Sequence, residues 1–63
     1  MTIEARNLKT GDRYKSGLTI QEVTSIVKIS AKAIEYRTKR VSPDIYDGNF
    51  FQRKRLNTKI ELI

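Results

Sequence analysis

An aromatic pair followed by three cations is the segment of this chain best suited to chemistry. Residues 50–55 read Phe-Phe-Gln-Arg-Lys-Arg. An aromatic ring can stack on a nucleic-acid base, and an arginine guanidinium can hold a phosphate through two parallel hydrogen bonds. Because side chains alternate along a strand, we expect Arg53 and Arg55 to share a face with Phe51. The segment equally fits one Phe in the core and a charged edge strand that resists aggregation.

A second cationic cluster follows the strand expected at residues 33–38. Arg37 and Lys39 would share one face with Glu35, which partly neutralises them. Taken alone, this cluster fits an ordinary solvated strand face. If its strand pairs with residues 53–55, however, the two clusters form one basic surface. The candidate nucleic-acid-binding residues are Arg37, Lys39, Arg40, Phe50, Phe51, Arg53, Lys54 and Arg55.

The overall charge agrees with a polyanionic partner. Thirteen Lys and Arg against seven Asp and Glu give a net charge of +6 on only 63 residues. A positive field of this kind attracts nucleic acid, either DNA or RNA, although solubility alone also accounts for a charged surface. We therefore expect a nucleic-acid partner without being able to assign its type.

The composition argues against enzymatic chemistry. Histidine and cysteine are both absent, which removes the usual general base at neutral pH, disulfides and thiolate metal sites. The chain is one domain at most and too short to enclose a deep substrate cavity. Asp44 and Asp47 are the only acids close together in sequence, and their spacing is not that of a calcium loop. We expect no enzyme activity, no cofactor and no metal.

The hydropathy pattern indicates a cytoplasmic protein. No apolar run approaches the roughly 20 residues of a membrane-spanning helix. The first six residues, Met-Thr-Ile-Glu-Ala-Arg, lack the apolar region of a signal peptide. We expect no membrane partner.

The elements that must position the cationic residues are predicted to be strands. Residues 8–23 predict a short strand, a tight turn at Ser16 and Gly17, and a longer strand bulged at Gln21 and Glu22. The next 20 or so residues are rich in β-branched and aromatic side chains and predict a long hairpin that turns near residue 30. The side chains expected to face one side are Val23, Ser25, Val27 and Ile29 on its first strand, and Ile34, Tyr36 and Thr38 on its second.

The C-terminal third is predicted to begin with a loop. Residues 41–49 contain Ser-Pro, Asp-Gly and Gly-Asn steps, which are typical of turns. Two further strands are expected at residues 49–56 and 58–63. Ile60 and Leu62 would then face inward.

Residues 8–14, Leu-Lys-Thr-Gly-Asp-Arg-Tyr, resemble the Leu-x-x-Gly-Asp-Arg opening of small SH3-like, KOW-like β-barrels encoded by phages and mobile elements. The resemblance implies an all-β fold, a small SH3-like barrel of about five antiparallel strands that takes up residues 1–63. It further implies a phage-type accessory protein that binds nucleic acid. A protein–protein module that inhibits or redirects a host enzyme is the alternative, and a homodimer through an edge strand stays open.

A helical interpretation of residues 18–34 is also available. Apolar residues there recur with helical spacing, Thr19 and Glu22 form a capping box, and Ser30 could cap a second helix. This pattern resembles the helix-turn-helix of excisionase-type and MerR-like DNA binders and implies a winged helix-turn-helix that binds a specific duplex sequence. The residues it would place near the major groove are Ala31, Lys32, Glu35 and Tyr36. The many β-branched residues favour the barrel.

Overall fold

The chain forms an antiparallel all-β structure of six strands in two sheets. The computed structural model describes the backbone of residues 1–63 and every side chain except that of Asp47, so the predicted acid pair of the loop lies partly outside the described residues. The elements are β1 (Thr2–Glu4), the 3₁₀ helix η1 (Ala5–Asn7), β2 (Arg13–Ser16), β3 (Thr19–Ile29), β4 (Ala33–Ser42), β5 (Tyr46–Arg55) and β6 (Lys59–Glu61). The strand order is β2-β3-β4-β5 in one sheet and β1-β6 in the other. Among the described residues the sheets meet at one bridge, Tyr14 to Leu62, and do not close into a barrel.

The helix-turn-helix interpretation is wrong, because residues 19–29 form a single strand. Most of them are β-branched, and such side chains lose rotamer freedom in a helix but pack well on a sheet. Ser30 closes the β3–β4 hairpin instead of capping a helix: its hydroxyl accepts a hydrogen bond from the Ala33 amide at 3.2 Å. Glu35 and Tyr36 lie on opposite faces of β4, so the proposed major-groove set has no common surface. No helix among the described residues is long and apolar enough to span a membrane.

The pairing of β3 with β4 is irregular at three places where the sequence predicted one. At the first, between Ile20 and Gln21, the extra residue lies on β4. At the other two, between Val23 and Ser25 and between Ile26 and Lys28, it lies on β3. Each extra residue moves the following side chains to the opposite face. Val23 is fully buried as expected. The inward assignment of Ser25 and Val27 is wrong, because Ser25 pairs with Arg37 on the solvent side and Val27 is exposed. Ile29 pairs with the buried Ile34 and projects to the inner side as expected, but its side chain is exposed at the end of the hairpin.

The core lies between the two sheets and η1. Ile34, Tyr36 and Thr38 are completely buried, which confirms the predicted alternation of β4. The inward placement of Ile60 and Leu62 is also confirmed. The 3₁₀ helix fastens the N-terminus to the end of β5 and the turn after it, through the Ala5 amide to the Thr58 carbonyl at 2.8 Å and the Arg6 amide to the Leu56 carbonyl at 3.0 Å. The core residues are Ala5, Leu8, Tyr14, Val23, Ile34, Tyr36 and Ile60, with Ile3, Ile26, Leu56 and Leu62 packed around them.

The loop predicted at residues 41–49 is shorter than expected. Strand β4 continues to Ser42 and β5 begins at Tyr46, so only residues 43–45 connect them. Gly48 lies within β5, where a Cβ atom would collide with the Tyr46 ring. The glycine thus makes room for a neighbouring ring inside a strand, and the prediction of a turn at this position is wrong.

Two tyrosine hydroxyls form a hydrogen bond inside the core. The hydroxyl oxygens of Tyr14 on β2 and Tyr36 on β4 lie 2.9 Å apart. Burial raises the pKa of both hydroxyls, so each keeps its proton at neutral pH. The pair satisfies two polar groups that would otherwise be buried without partners.

We expect Tyr14→Phe and Tyr36→Phe each to lower the free energy of unfolding by about 1–3 kcal/mol, because each leaves the other hydroxyl without its partner. The double variant should cost less than the sum of the single variants, since it removes both hydroxyls together. Denaturant unfolding of the four proteins measures this coupling, and strict additivity would mean that the hydrogen bond contributes nothing.

Candidate nucleic-acid interface

The four-stranded sheet has an inner face on the core and a solvent-facing outer face, and the strand register assigns each residue to one of them. Paired residues of neighbouring antiparallel strands project to the same side. The outer face therefore contains four cross-strand rows and one further pair. These are Arg13–Glu22–Lys39, Ser25–Arg37–Phe51, Lys28–Glu35–Arg53, Lys15–Ile20–Ser42 and Ala33–Arg55.

The pairing of β4 with β5 brings the two predicted cationic clusters onto neighbouring strands. Arg37 lies opposite Phe51, and Glu35 lies opposite Arg53. Five of the eight predicted residues lie on the outer face: Arg37, Lys39, Phe51, Arg53 and Arg55. The other three are on the inner side, where Arg40 pairs with Tyr46, Phe50 with Thr38 and Lys54 with Ile34.

Sequence reasoning missed three cations of the outer face, Arg13 and Lys15 on β2 and Lys28 on β3. None of them belongs to a run of consecutive cations, and none was assigned a face. Arg13 pairs with Glu22, whereas Lys28 follows the last register shift of β3 and pairs with Glu35. The Arg-Tyr-Lys segment at residues 13–15 was a usable signal for Arg13, because Tyr14 was expected in a strand.

Phe51 is the exposed aromatic ring of the outer face. Its side chain is 57% exposed although it lies on the middle row of the sheet, directly across from Arg37. Arg53 is the next residue of β5 on the same side. A flat apolar ring between two guanidinium groups can stack on a base while the cations bind the phosphates beside it.

Two carboxylates hold some of the outer-face cations in position. Glu22 accepts a hydrogen bond from Nε of Arg13 at 2.7 Å and lies 3.8 Å from Nζ of Lys39. The Arg13 hydrogen bond lowers the pKa of the Glu22 carboxyl. Glu35 lies 3.6 Å from Nε of Arg53.

The remaining cations of the outer face have no such partner. Among the described side chains, the outer-face cations that form no ion pair within 4.0 Å are Lys15, Lys28, Arg37 and Arg55. The described side chains of the outer face therefore combine seven cations with two carboxylates and have an excess of five positive charges. That excess surrounds an exposed aromatic ring.

The aromatic cluster on the inner side of β5 is organised differently. The guanidinium carbon of Arg40 lies 5.3 Å from the Tyr46 ring centroid, and Nη2 of Arg40 lies 3.1 Å from Oδ1 of Asp44. Tyr46 in turn packs on Phe50, with ring centroids 5.6 Å apart. Arg40 is thus engaged within the molecule, and Phe50 is the less exposed of the two phenylalanines.

Comparison with protein-family models, with curated proteins and with solved structures finds no match to this chain. Within the described residues, no three potential metal ligands of the His, Cys, Asp and Glu type lie together. The outer face therefore has to be interpreted from its own geometry.

Proposed function

We propose that this protein binds nucleic acid through the outer face, on an SH3-like arrangement of strands that is left open between its two sheets. The observation that carries the proposal is the exposed Phe51 ring beside the unpaired Arg37, within an excess of positive charge. Phosphates bind the cations of the outer face, and a base stacks on Phe51. This fits the role of a small phage-type accessory protein.

A single strand suits this surface better than a duplex. In a duplex the bases are stacked on each other and their faces are inaccessible to a protein ring, whereas every unpaired base offers a free face. The outer face is also a sheet surface without a projecting helix that could enter a major groove. Stacking and phosphate contacts tolerate many sequences, so we expect little sequence preference.

The test is the salt dependence of binding to a fluorescent single-stranded oligonucleotide, measured by anisotropy for both DNA and RNA. Five phosphate contacts, one for each excess charge, give a slope of about −3.5 in log affinity against log salt. That slope corresponds to an affinity loss of about 130-fold between 50 and 200 mM salt. Binding that does not respond to salt, or no binding at 50 mM, would remove the proposal.

Neutralising an acid of the outer face should strengthen binding. Glu35→Gln releases Arg53 from its ion pair and removes one negative charge from the third row. We expect an affinity gain of about two- to fivefold, in keeping with the small energies of exposed ion pairs. Glu61→Gln is the matched control, because it makes the same change of charge on the two-stranded sheet. Equal gains in both variants would indicate that only net charge matters.

A protein partner is the second candidate, favoured by the position of β5. Tyr46–Arg55 has a strand neighbour on one side only in the described structure. An exposed edge of this kind can accept an extended segment of another protein through backbone hydrogen bonds. Its arginines would match an acidic partner, such as a host enzyme that the contact inhibits or redirects. Capture of one protein that survives nuclease treatment would favour this function.

A further inference from the structure

An open groove lies where the β3–β4 turn meets the end of β5, next to the outer face. Its volume is about 760 Å³. Ala31 and Ala33 form part of its wall, and their small side chains leave the space that a larger residue would fill. Among the described residues, the lining contains five cations and no carboxylate. The lining residues are Arg6, Ala31, Lys32, Ala33, Arg53, Lys54, Arg55, Leu56 and Asn57.

The backbone ties together the three segments that supply these cations. Leu56 is the common point: its carbonyl accepts from the Arg6 amide at 3.0 Å, and its own amide donates to the Lys32 carbonyl at 3.4 Å. Arg55 immediately precedes it. The backbone positions of these cationic residues are therefore fixed relative to each other, although their side chains are long.

Three of the groove cations have no counter-charge of their own. Lys32, Lys54 and Arg55 form no ion pair among the described side chains, whereas the other two cations pair with carboxylates at 3.2 and 3.6 Å. Like charges gathered around one groove repel each other, and a bound anion relieves this repulsion. The groove is thus built for a ligand with more than one negative charge.

We propose that this groove binds the terminal phosphomonoester of a nucleic-acid strand whose bases lie on the outer face; the proposal rests on the function proposed above. A phosphomonoester carries about −1.5 to −2 charges at pH 7, against about −1 for each internal phosphodiester. Three free cations match the doubly charged end better than the internal linkage. Arg53 and Arg55 belong to both the groove and the outer face, so the two surfaces are continuous.

The distance between the outer face and the groove suits a short oligonucleotide. Phe51 and Arg55 are four residues apart on β5, which corresponds to about 13 Å along the strand. A hexanucleotide can therefore place a base on Phe51 while its end lies in the groove.

The experiment compares hexathymidylate with a 5′-phosphate, with a 3′-phosphate, and with hydroxyls at both ends. We expect one phosphorylated form to bind about tenfold more tightly than the hydroxyl form, through charge-assisted hydrogen bonds to the extra phosphate. In Lys32→Gln/Lys54→Gln that preference should vanish while binding of the hydroxyl form stays nearly unchanged. In Phe51→Ala all three affinities should fall and the preference should persist. Lys9→Gln, an exposed loop position outside the groove, is the control for a lost positive charge.

Three outcomes would overturn the proposal. Equal affinity for all three hexamers would show that strand ends are not recognised, even if the outer face binds nucleic acid. A preference that survives in Lys32→Gln/Lys54→Gln would place the terminal phosphate elsewhere. Thymidine monophosphate that binds as tightly as the phosphorylated hexamer would identify a free nucleotide as the ligand. If none of the hexamers binds, the function proposed for the outer face fails as well.

Discussion

Replacing Phe51 with alanine is expected to weaken the binding of a single-stranded oligonucleotide by about 5- to 150-fold. The range follows from the energy of base–aromatic stacking, which is about 1–3 kcal/mol per base. The ring is more than half exposed and lies on the face turned away from the core, so its removal should leave the free energy of unfolding almost unchanged. Anisotropy titrations and denaturant unfolding of the same variant separate the two effects.

Phe50→Ala is the matched control for this prediction. Phe50 is the adjacent residue and loses the same atoms, but it projects to the inner side and packs on Tyr46. We expect its affinity to change by less than about twofold, because its ring does not reach the outer face. If Phe50→Ala loses binding and Phe51→Ala does not, the interface lies on the inner side of β5 with Tyr46.

The sequence was sufficient to predict which side chains of β4 and β5 share the outer face, the surface proposed as the interface. Strict alternation in residues 34–38 and 50–55 assigns each side chain to a face without knowledge of the partner strand. This is why the shared face of Phe51, Arg53 and Arg55 is confirmed. Pairing of the two strands then merges their clusters, since Arg37 and Phe51 occupy the same row.

The contribution of β3 could not be predicted, because the alternation rule fails where the register shifts. A bulge depends on local backbone geometry and on the partner strand, and neither of these produces a periodic pattern of residues in the sequence. Lys28 follows the last of three shifts, so counting alternate residues from Val23 could not assign its side chain to a face. The same shifts put Ile26 instead of Val27 against the core.

The connection between β4 and β5 shows a second reason why sequence-based prediction fails. Gly48 and its neighbours have the residue types of a turn, yet the glycine is in a strand next to the Tyr46 ring. Glycine serves equally well where a turn needs its backbone freedom and where a neighbour needs its missing side chain. Only the packing of Tyr46 distinguishes the two uses.

Ile34→Ala should be among the most destabilising single truncations in this protein. Ile34 is completely buried and lies on β4, the strand between β3 and β5. Truncation of a buried isoleucine to alanine costs about 2–5 kcal/mol. A domain of this length has a total stability of roughly 3–9 kcal/mol, so the loss is a large share of it. Denaturant unfolding, monitored by circular dichroism, measures this loss as a lower midpoint concentration of denaturant with an unchanged m-value.

Ile29→Ala is the control within the same cross-strand pair. Ile29 lies directly opposite Ile34 and projects to the same face, but its side chain is 56% exposed at the end of the hairpin. We expect a cost below about 1 kcal/mol, because little apolar area is buried there. Comparable losses in both variants would mean that the core extends to the hairpin end.

The same variant also tests whether the core and the interface are independent. Ile34 projects to the inner face, so Ile34→Ala should leave the affinity of the folded protein for an oligonucleotide unchanged. An oligonucleotide at 100 times its Kd should then raise the free energy of unfolding by about 2.7 kcal/mol in both native and variant proteins. A smaller increment in the variant would show that the arrangement of the outer-face cations depends on packing beneath the sheet.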